Sequence, residues 1–251
     1  MKKQYIYYGE ECLSTNDQLA QAITDNKLSI SNIADFILFY SDYQTAGKGM
    51  MGNHWESEKG ENILASFYCC PPLLPSQLPY FNFFFANLIR NFVSMYVTNR
   101  KISIKFPNDI YIENRKVAGI LIEPVIEGDK VKHIIAGVGI NINQEHFPAH
   151  LPNPTSLALE NQSKFHIKAM MTFLYTSFKK SYPAILKGKF DAINANYQYH
   201  LYQKDEVKQY LIDNKTIDAI IKQVTPQGQL LLIEERNGQE YYCNPKEIAF
   251  L

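Results

Sequence analysis

The first apolar run, Tyr5–Tyr8, is aromatic and β-branched and predicts a short strand. Ser14 or Thr15 then offers a cap for a helix over NDQLAQAIT, in which Leu19, Ala22 and Ile23 share one face. Asp35–Tyr43 and Asn62–Cys70 are apolar runs expected as buried strands, the second ended by PPLLP. Between them, residues 44–61 are rich in Gly, Lys and polar side chains and predict a loop. Leu78–Val97 predicts a long helix. Its most apolar stretch, Tyr80–Val97, is interrupted by Asn82, Asn87, Arg90 and Asn91, which suits a buried helix and not a membrane span. Ile102–Lys105, Ile110–Glu113 and Lys116–Pro124 predict short strands, the last two joined by a turn at ENRK, and Val131–Ile142 predicts another after EGDK. Residues 150–165, with prolines at 148, 152 and 154 just before or inside them, predict a loop. Helical patterns follow at Ile167–Leu186 and Phe190–Tyr199.

Beyond about residue 205 the pattern changes to short strands separated by DNK at 213–215, PQGQ at 226–229 and RNGQ at 236–239. The Asn-Gly pair at 237–238 is a hairpin signal. An all-β tail of roughly 45 residues is small enough to lean on its neighbour for stability. The expected organisation is a body at 1–203 and a small β domain at 204–251. Hairpins link the strands of the body, so its fold class is expected to be α+β, with a mixed, mainly antiparallel sheet and flanking helices.

Composition narrows the function classes. The chain has 251 residues, 46% hydrophobic and 20% charged, which is ordinary for a globular protein. Lys plus Arg equals Asp plus Glu at 25 each, so there is no global field to draw nucleic acid or an anionic membrane. Neither DNA nor membrane is expected as a partner. The four cysteines, Cys12, Cys69, Cys70 and Cys243, form no CxxC and no zinc-spaced array. Reduced thiols in a cytoplasmic protein are expected, with no metal centre built from protein ligands. Lys2 and Lys3 are followed by no apolar run, which excludes a secretory signal.

Several segments carry candidate chemistry, each with two readings. GKGMMG at 47–52 follows a strand, and its amides with Lys48 could cradle an anion; it could equally be a flexible surface loop. Its spacing is not that of a phosphate-binding GxxxxGK[ST] loop. Trp55, the only tryptophan, either covers a core edge or offers a flat face to a nucleobase. KFPND at 105–109 groups Lys105, Asn108 and Asp109 around a proline, as an aimed polar cluster or a simple turn. Lys116 opens the apolar strand VAGILIE, and Gly119 inside it marks close approach of another group. GVGININ at 137–143 ends in Asn141 and Asn143, which suit either an adenine edge or a turn.

In combination these segments resemble a known family. STN at 14–16, YQTAGKGMMGNHWES at 43–57, GENILAS at 60–66, KFPNDIY at 105–111, KVAGILIE at 116–123, GVGININ at 137–143 and PTSL at 154–157 stand in the order and with spacings similar to those of biotin–protein ligases. The resemblance covers about residues 10–160, and the tail resembles that family's SH3-like module. It implies a class II synthetase-like catalytic domain that makes biotinyl-5'-AMP from biotin and ATP, with Mg2+ on the nucleotide, and passes biotin to a lysine. The acceptor would be the biotin carboxyl carrier protein domain of a carboxylase. STN falls within the first 16 residues, so the likeness is to the monofunctional type, without an N-terminal DNA-binding winged helix. A homodimer paired through the central sheet and a monomer both fit the family.

Residue by residue, the resemblance implies that Ser14, Thr15, Asn16 and Gln44 hold the ureido ring of biotin. A ring with N–H donors and a carbonyl acceptor calls for short polar side chains. Lys48, Gly49, Met50 and Gly119 match further biotin contacts, and Lys116 matches a lysine shared between carboxylate and α-phosphate. Joining two anions requires fixed positive charge. Asn53, Trp55, Asn108 and Asn141 match the nucleotide side, together with Lys48 and Lys116. Lys105 and Asp109 complete the catalytic set with Lys48 and Lys116, and Asp109 is expected to orient or deprotonate the acceptor lysine. Phe106 replaces the family's usual tryptophan. The family loop commonly reads GRGRRG, whereas this chain has Lys48, Met50 and Met51 in place of the arginines. Lys48 keeps the charge but loses the bidentate fork, and Met50 loses both, which implies weaker retention of the adenylate. The rival readings are a lipoate–protein ligase or octanoyltransferase of the same fold, and a non-catalytic biotin- or nucleotide-binding module. The lipoate loop RRxSGGG is absent, and none of the cysteines lies in an octanoyltransferase motif.

Overall fold

The computed structural model describes residues 5–30 and 32–251; the lysine pair at 2–3 lies outside them. Seven strands form the central sheet: β1 (Ile6–Cys12), β2 (Phe36–Gln44), β3 (Asn62–Cys69), β4 (Ile102–Lys105), β5 (Asp109–Ile112), β6 (Arg115–Glu127) and β7 (Lys130–Asn141). Their spatial order is β1-β2-β3-β7-β6-β5-β4. β1 and β2 run parallel, because the helix α1 (Thr15–Thr24) crosses between them. The other pairings are antiparallel, as expected for strands joined by short turns.

Both faces of the central strands are covered, and this explains why β2 and β3 are apolar almost throughout. Phe36 and Leu38 of β2 and Ile63, Ala65 and Phe67 of β3 point into the main core. There they meet α2 (Leu78–Ser94), whose Phe81, Phe85, Ile89 and Phe92 are buried, and α4 (Ile167–Ser181), whose Phe178 stacks on Phe67 at 4.5 Å between ring centroids. The alternate residues Ile37, Phe39 and Tyr68 point the other way and pack with Leu19 of α1. The face that carries α1 also carries the site.

Three local expectations change. A short helix α3 (Leu157–Asn161) lies inside the segment expected as loop, capped by the Ser156 hydroxyl, which accepts from Leu159 N–H. The single helix expected over 167–186 is two, α4 and α5 (Pro183–Leu186), because Pro183 has no N–H to continue the ladder. Ser14 occupies the cap position of α1 but makes no side-chain capping bond.

A further helix, α6 (Phe190–Tyr199), leads to a second, five-stranded sheet: β8 (Val207–Ile212), β9 (Lys215–Val224), β10 (Leu230–Glu234), β11 (Glu240–Cys243) and β12 (Ile248–Phe250), in the order β11-β10-β9-β8-β12. All its pairings are antiparallel. Asp213 and Asn214, both at positive φ, make the first tight turn, and Gly238 at φ 73° makes the Asn-Gly turn. Tyr210, Ile212, Ile221, Leu230 and Leu232 belong to the same buried cluster as the helices of the body. The Gln198 amide in α6 bonds both the N–H and the carbonyl of Val224. The small sheet therefore rests on the body through shared apolar surface as well as hydrogen bonds.

Candidate active site

Three glycines open space on the α1 face of the sheet. Gly137 and Gly139 are two apart on β7 and so face the same side, and Gly139 is the register partner of Gly119 on β6. A side chain at Gly137 would collide with the Asn16 amide. One at Gly119 would come within 2.8 Å of Trp55 Cζ3, and one at Gly139 would fall inside the indole. The close approach predicted at Gly119 is thus made by Trp55, which lies on the Gly119–Gly139 pair. Its indole N–H is buried without a hydrogen-bond partner among the described residues. The loop that delivers Trp55 is tied back by an isolated bridge between Lys48 and His54 and by the Trp55 N–H to Gly47 carbonyl bond of 2.9 Å.

Two cavities meet at this indole. The smaller, about 200 Å³, is lined by Ser14, Thr15, Asn16, Gln44, Lys48, Gly49, Met50, Asn108, Asp109, Lys116 and Gly119. Ordered polar groups line one of its ends. Gln44 Oε1 accepts from both the N–H and the hydroxyl of Thr15, at 2.7 and 3.0 Å. Asn16 donates to Glu123 Oε2 at 2.6 Å. Ser66, fully buried on β3, reaches Thr15 Oγ1 and Asn16 Oδ1 at 2.7 and 2.5 Å. The larger cavity, about 610 Å³, is lined by Lys105, Tyr111, Asn141 and His150, and shares Asn53, Trp55, Asp109 and Lys116 with the first. Asn141 donates to the Thr155 carbonyl at 2.9 Å, and its Oδ1 is buried without a partner among the described residues.

Each lysine is held differently. Lys48 pairs with Asp17 at 2.6 Å, and that hydrogen bond raises its pKa above the ordinary lysine value. Lys116 Nζ sits 2.8 Å from Asp109 and 5.6 Å from the centroid of the Trp55 ring. Lys105 reaches only the larger cavity. Its ammonium lies 5.1 Å from the centroid of Tyr111 and 4.6 Å from that of Phe250, on the last strand of the second sheet. Burial pushes its pKa down, with Asp109 opposing and Lys116 assisting. Asn108, after the cis Phe106–Pro107 peptide, donates to the Ile120 carbonyl. Met50 belongs to a single 3-10 turn, Met50–Gly52; the side chain of Met51 lies outside the described part.

The structure therefore brings together the residues expected at the site, with Lys105 and Asn141 confined to its larger half. Sequence reasoning missed Asp17, Ser66, Glu123 and Phe250. Asp17 directly follows STN, so its place in the first turn of α1 beside Asn16 was the one available signal. Ser66 and Glu123 end two of the quoted segments, GENILAS and KVAGILIE, but their partners lie 50 or more positions away, as does Phe250 from Lys105. Among the described residues no group of three or more His, Cys, Asp or Glu could hold a metal ion, and the two carboxylates nearest the lysines are engaged by them.

The family model of the biotin/lipoate A/B protein ligases matches residues 9–141, more than half of the chain. The chain belongs to this family. Among relatives, the bifunctional ligase/repressor BirA of Bacillus subtilis is 30% identical over 185 residues, 72% of this chain and 54% of its own length. Biotin–protein ligase 1, chloroplastic, of Arabidopsis thaliana is 24% identical over 98% of this chain and 67% of its own length. The chain thus spans about half the length of the bacterial relative. The biotin protein ligase of Aquifex aeolicus in complex with biotin and ATP superposes with a TM-score of 0.75 at 20% identity, over 99% of both chains. That match confirms the expected α+β fold with its additional small β sheet. The matched residues, 9–141, contain every residue that lines the smaller cavity, while His150 of the larger one and Phe250 over Lys105 lie beyond them.

Proposed function

We propose that the chain is a biotin–protein ligase. In the first step a carboxylate oxygen of biotin attacks the α-phosphorus of Mg2+-bound ATP. The bond to the β-phosphate bridging oxygen breaks, giving biotinyl-5'-AMP and pyrophosphate. In the second the neutral amine of an acceptor lysine attacks the acyl carbon. AMP leaves, one proton is lost from the nitrogen, and an amide remains. One observation carries the reading: two lysines, Lys48 and Lys116, each held by a carboxylate, border the same small cavity whose other wall is an ordered polar cluster. The lysines supply the positive charge needed where two anions meet. The polar cluster supplies donors and acceptors for a ureido ring. The apolar dithiolane of lipoate would make no use of the remaining donors and acceptors of Gln44, Thr15 and Asn16, whereas a ureido ring would.

In this reading Ser14, Thr15, Asn16, Gln44, Gly49 and Met50 contact biotin, and Trp55, Asn53, Asn108 and Asn141 contact the nucleotide. Asp109, 2.8 Å from Lys116, lies where the two cavities join and orients or deprotonates the acceptor lysine. Residues 1–203 form the catalytic domain, and 204–251 form a module that covers Lys105 with Phe250. The acceptor is a biotin carboxyl carrier domain. The test is mass spectrometry of such a domain incubated with enzyme, Mg2+, ATP and either biotin or lipoate. One biotinyl group added only when ATP is present is the expected result. Addition of lipoate alone would establish the rival substrate, and addition of neither would end the ligase reading.

A further inference from the structure

Lys116 has an unusual backbone setting. On one side β6 pairs with β5, but the register slips there: Ile110 faces Ala118 and Tyr111 faces Lys116, so Val117 is the extra residue of a bulge. On the other side β7 pairs with β6 only from Ala118 onward. Lys116 therefore lies beyond the reach of β7. Its place is taken by residues 153–155, a short stretch outside any named strand. Lys116 N–H donates to the Asn153 carbonyl at 2.8 Å, and Thr155 N–H donates to the Lys116 carbonyl at 2.9 Å. Two hydrogen bonds to a non-repetitive segment set the direction in which the Lys116 side chain leaves the sheet.

What fixes that segment is Glu160. Its side chain has no exposed surface, and it sits in α3, five residues on. The Thr155 hydroxyl donates to Glu160 Oε1 at 2.5 Å. Arg115 pairs with the same carboxylate at 2.8 Å and Arg100 at 3.4 Å. Arg115 precedes Lys116 on the strand, so the two side chains leave on opposite faces. The carboxylate thus ties the strand that carries Lys116 to the segment that brackets it, from the side away from the cavity. A buried carboxylate with two arginines and a hydroxyl is a rigid anchor, because losing a partner leaves charge unsatisfied.

We propose that Glu160 is a positioning residue for Lys116: it does not touch substrate, but it sets the Lys116 ammonium in its place between the two cavities. The inference rests on the ligase reading above. The experiment is a double-mutant cycle measured as biotin-dependent exchange of pyrophosphate into ATP. Glu160→Gln keeps the size and a Thr155 partner but removes the charge that holds the arginines. In the otherwise unchanged enzyme it should lower kcat by about 10- to 100-fold, the scale of a small misplacement of a catalytic group, with the KM for biotin nearly unchanged. In a Lys116→Ala background the same substitution should lower the residual rate by less than about twofold, since the group it positions is gone. Thr155→Val, which removes one hydroxyl and leaves the arginine pairs, should show the same dependence on Lys116 and serves as the second variant should Glu160→Gln fail to fold. Equal losses in both backgrounds, or no loss in either variant, would overturn the proposal. If the unsubstituted enzyme shows no biotin-dependent exchange, the ligase reading itself has failed, which is a distinguishable outcome.

Discussion

Gly139→Ala tests the seat of Trp55 without touching a polar group. The added methyl would fall inside the indole, with even the third nearest ring atom, Cζ2, at 2.7 Å. β7 lies between β3 and β6 in the middle of the sheet, so the strand cannot retreat. The φ of Gly139 is not in the left-handed region, so alanine itself causes no backbone strain. Either the site is overpacked, at about 1–3 kcal/mol, or the indole swings away. A tryptophan buries up to about 200 Å². If half of that rests on the sheet, losing it at about 25 cal/mol per Å² costs at most about 2.5 kcal/mol. Both routes predict destabilisation of about 1–3 kcal/mol, a fall in Tm of several degrees for a chain of this size. Trp55 is the sole tryptophan, so fluorescence excited at the red edge, where the 17 tyrosines do not absorb, reports on it alone. The emission maximum should move to the red and acrylamide quenching should increase. The KM for ATP should rise while biotin affinity stays close to that of the parent. An unchanged emission spectrum and Tm would show that the indole does not lie on the glycine pair.

Asp109→Asn removes the carboxylate 2.8 Å from Lys116 and should slow biotin transfer from preformed adenylate by about 100-fold; normal transfer would remove Asp109 from that step. Met50→Arg places a cation beside the smaller cavity and should slow dissociation of isolated biotinyl-5'-AMP, measured by its escape from the enzyme; an unchanged rate would mean that adenylate retention does not depend on this position. Lys105→Met should trade activity for stability. Burial holds the Lys105 pKa below its ordinary 10.5, so between the two values the unfolded chain binds more protons and folding stability rises with pH. The substitution should therefore raise Tm at neutral pH, by an amount that shrinks as pH approaches 10.5, while ligation falls; a Tm gain independent of pH would contradict the assignment.

Much of this was legible because local chemistry and local structure agree. The strands from Ile102 to Asn141 are strongly patterned and joined by turns with recognisable residues, so their antiparallel pairing could be anticipated. Gly119 announced close approach, though not that the approaching group is Trp55, and Gly137 and Gly139 gave no sign of the Asn16 amide and the indole that lie on them. α3 was hidden because five residues after a proline-rich stretch carry too little periodicity to register. Ser66 was hidden because a small hydroxyl inside an apolar strand looks like any half-buried serine until the fold brings it to Thr15 and Asn16. Glu160 was hidden for the same reason: its partners Arg100 and Arg115 come from a different part of the chain.

The ring of Phe250 over the Lys105 ammonium also orders events in time. A chain leaving the ribosome presents the strands from Ile6 to Asn141 first, and domains fold as they emerge. The smaller cavity is encoded wholly within those strands and the segments that join them. Lys105, by contrast, stays uncovered until β12 pairs with β8, through contacts of Ile248, Ala249 and Phe250 with Ile212, Leu211 and Tyr210. A chain lacking these residues would keep every residue that lines the two cavities yet leave the Lys105 ammonium without the ring that covers it. The last strand thus bears on the larger cavity through a single lysine, whose removal from water its aromatic ring completes.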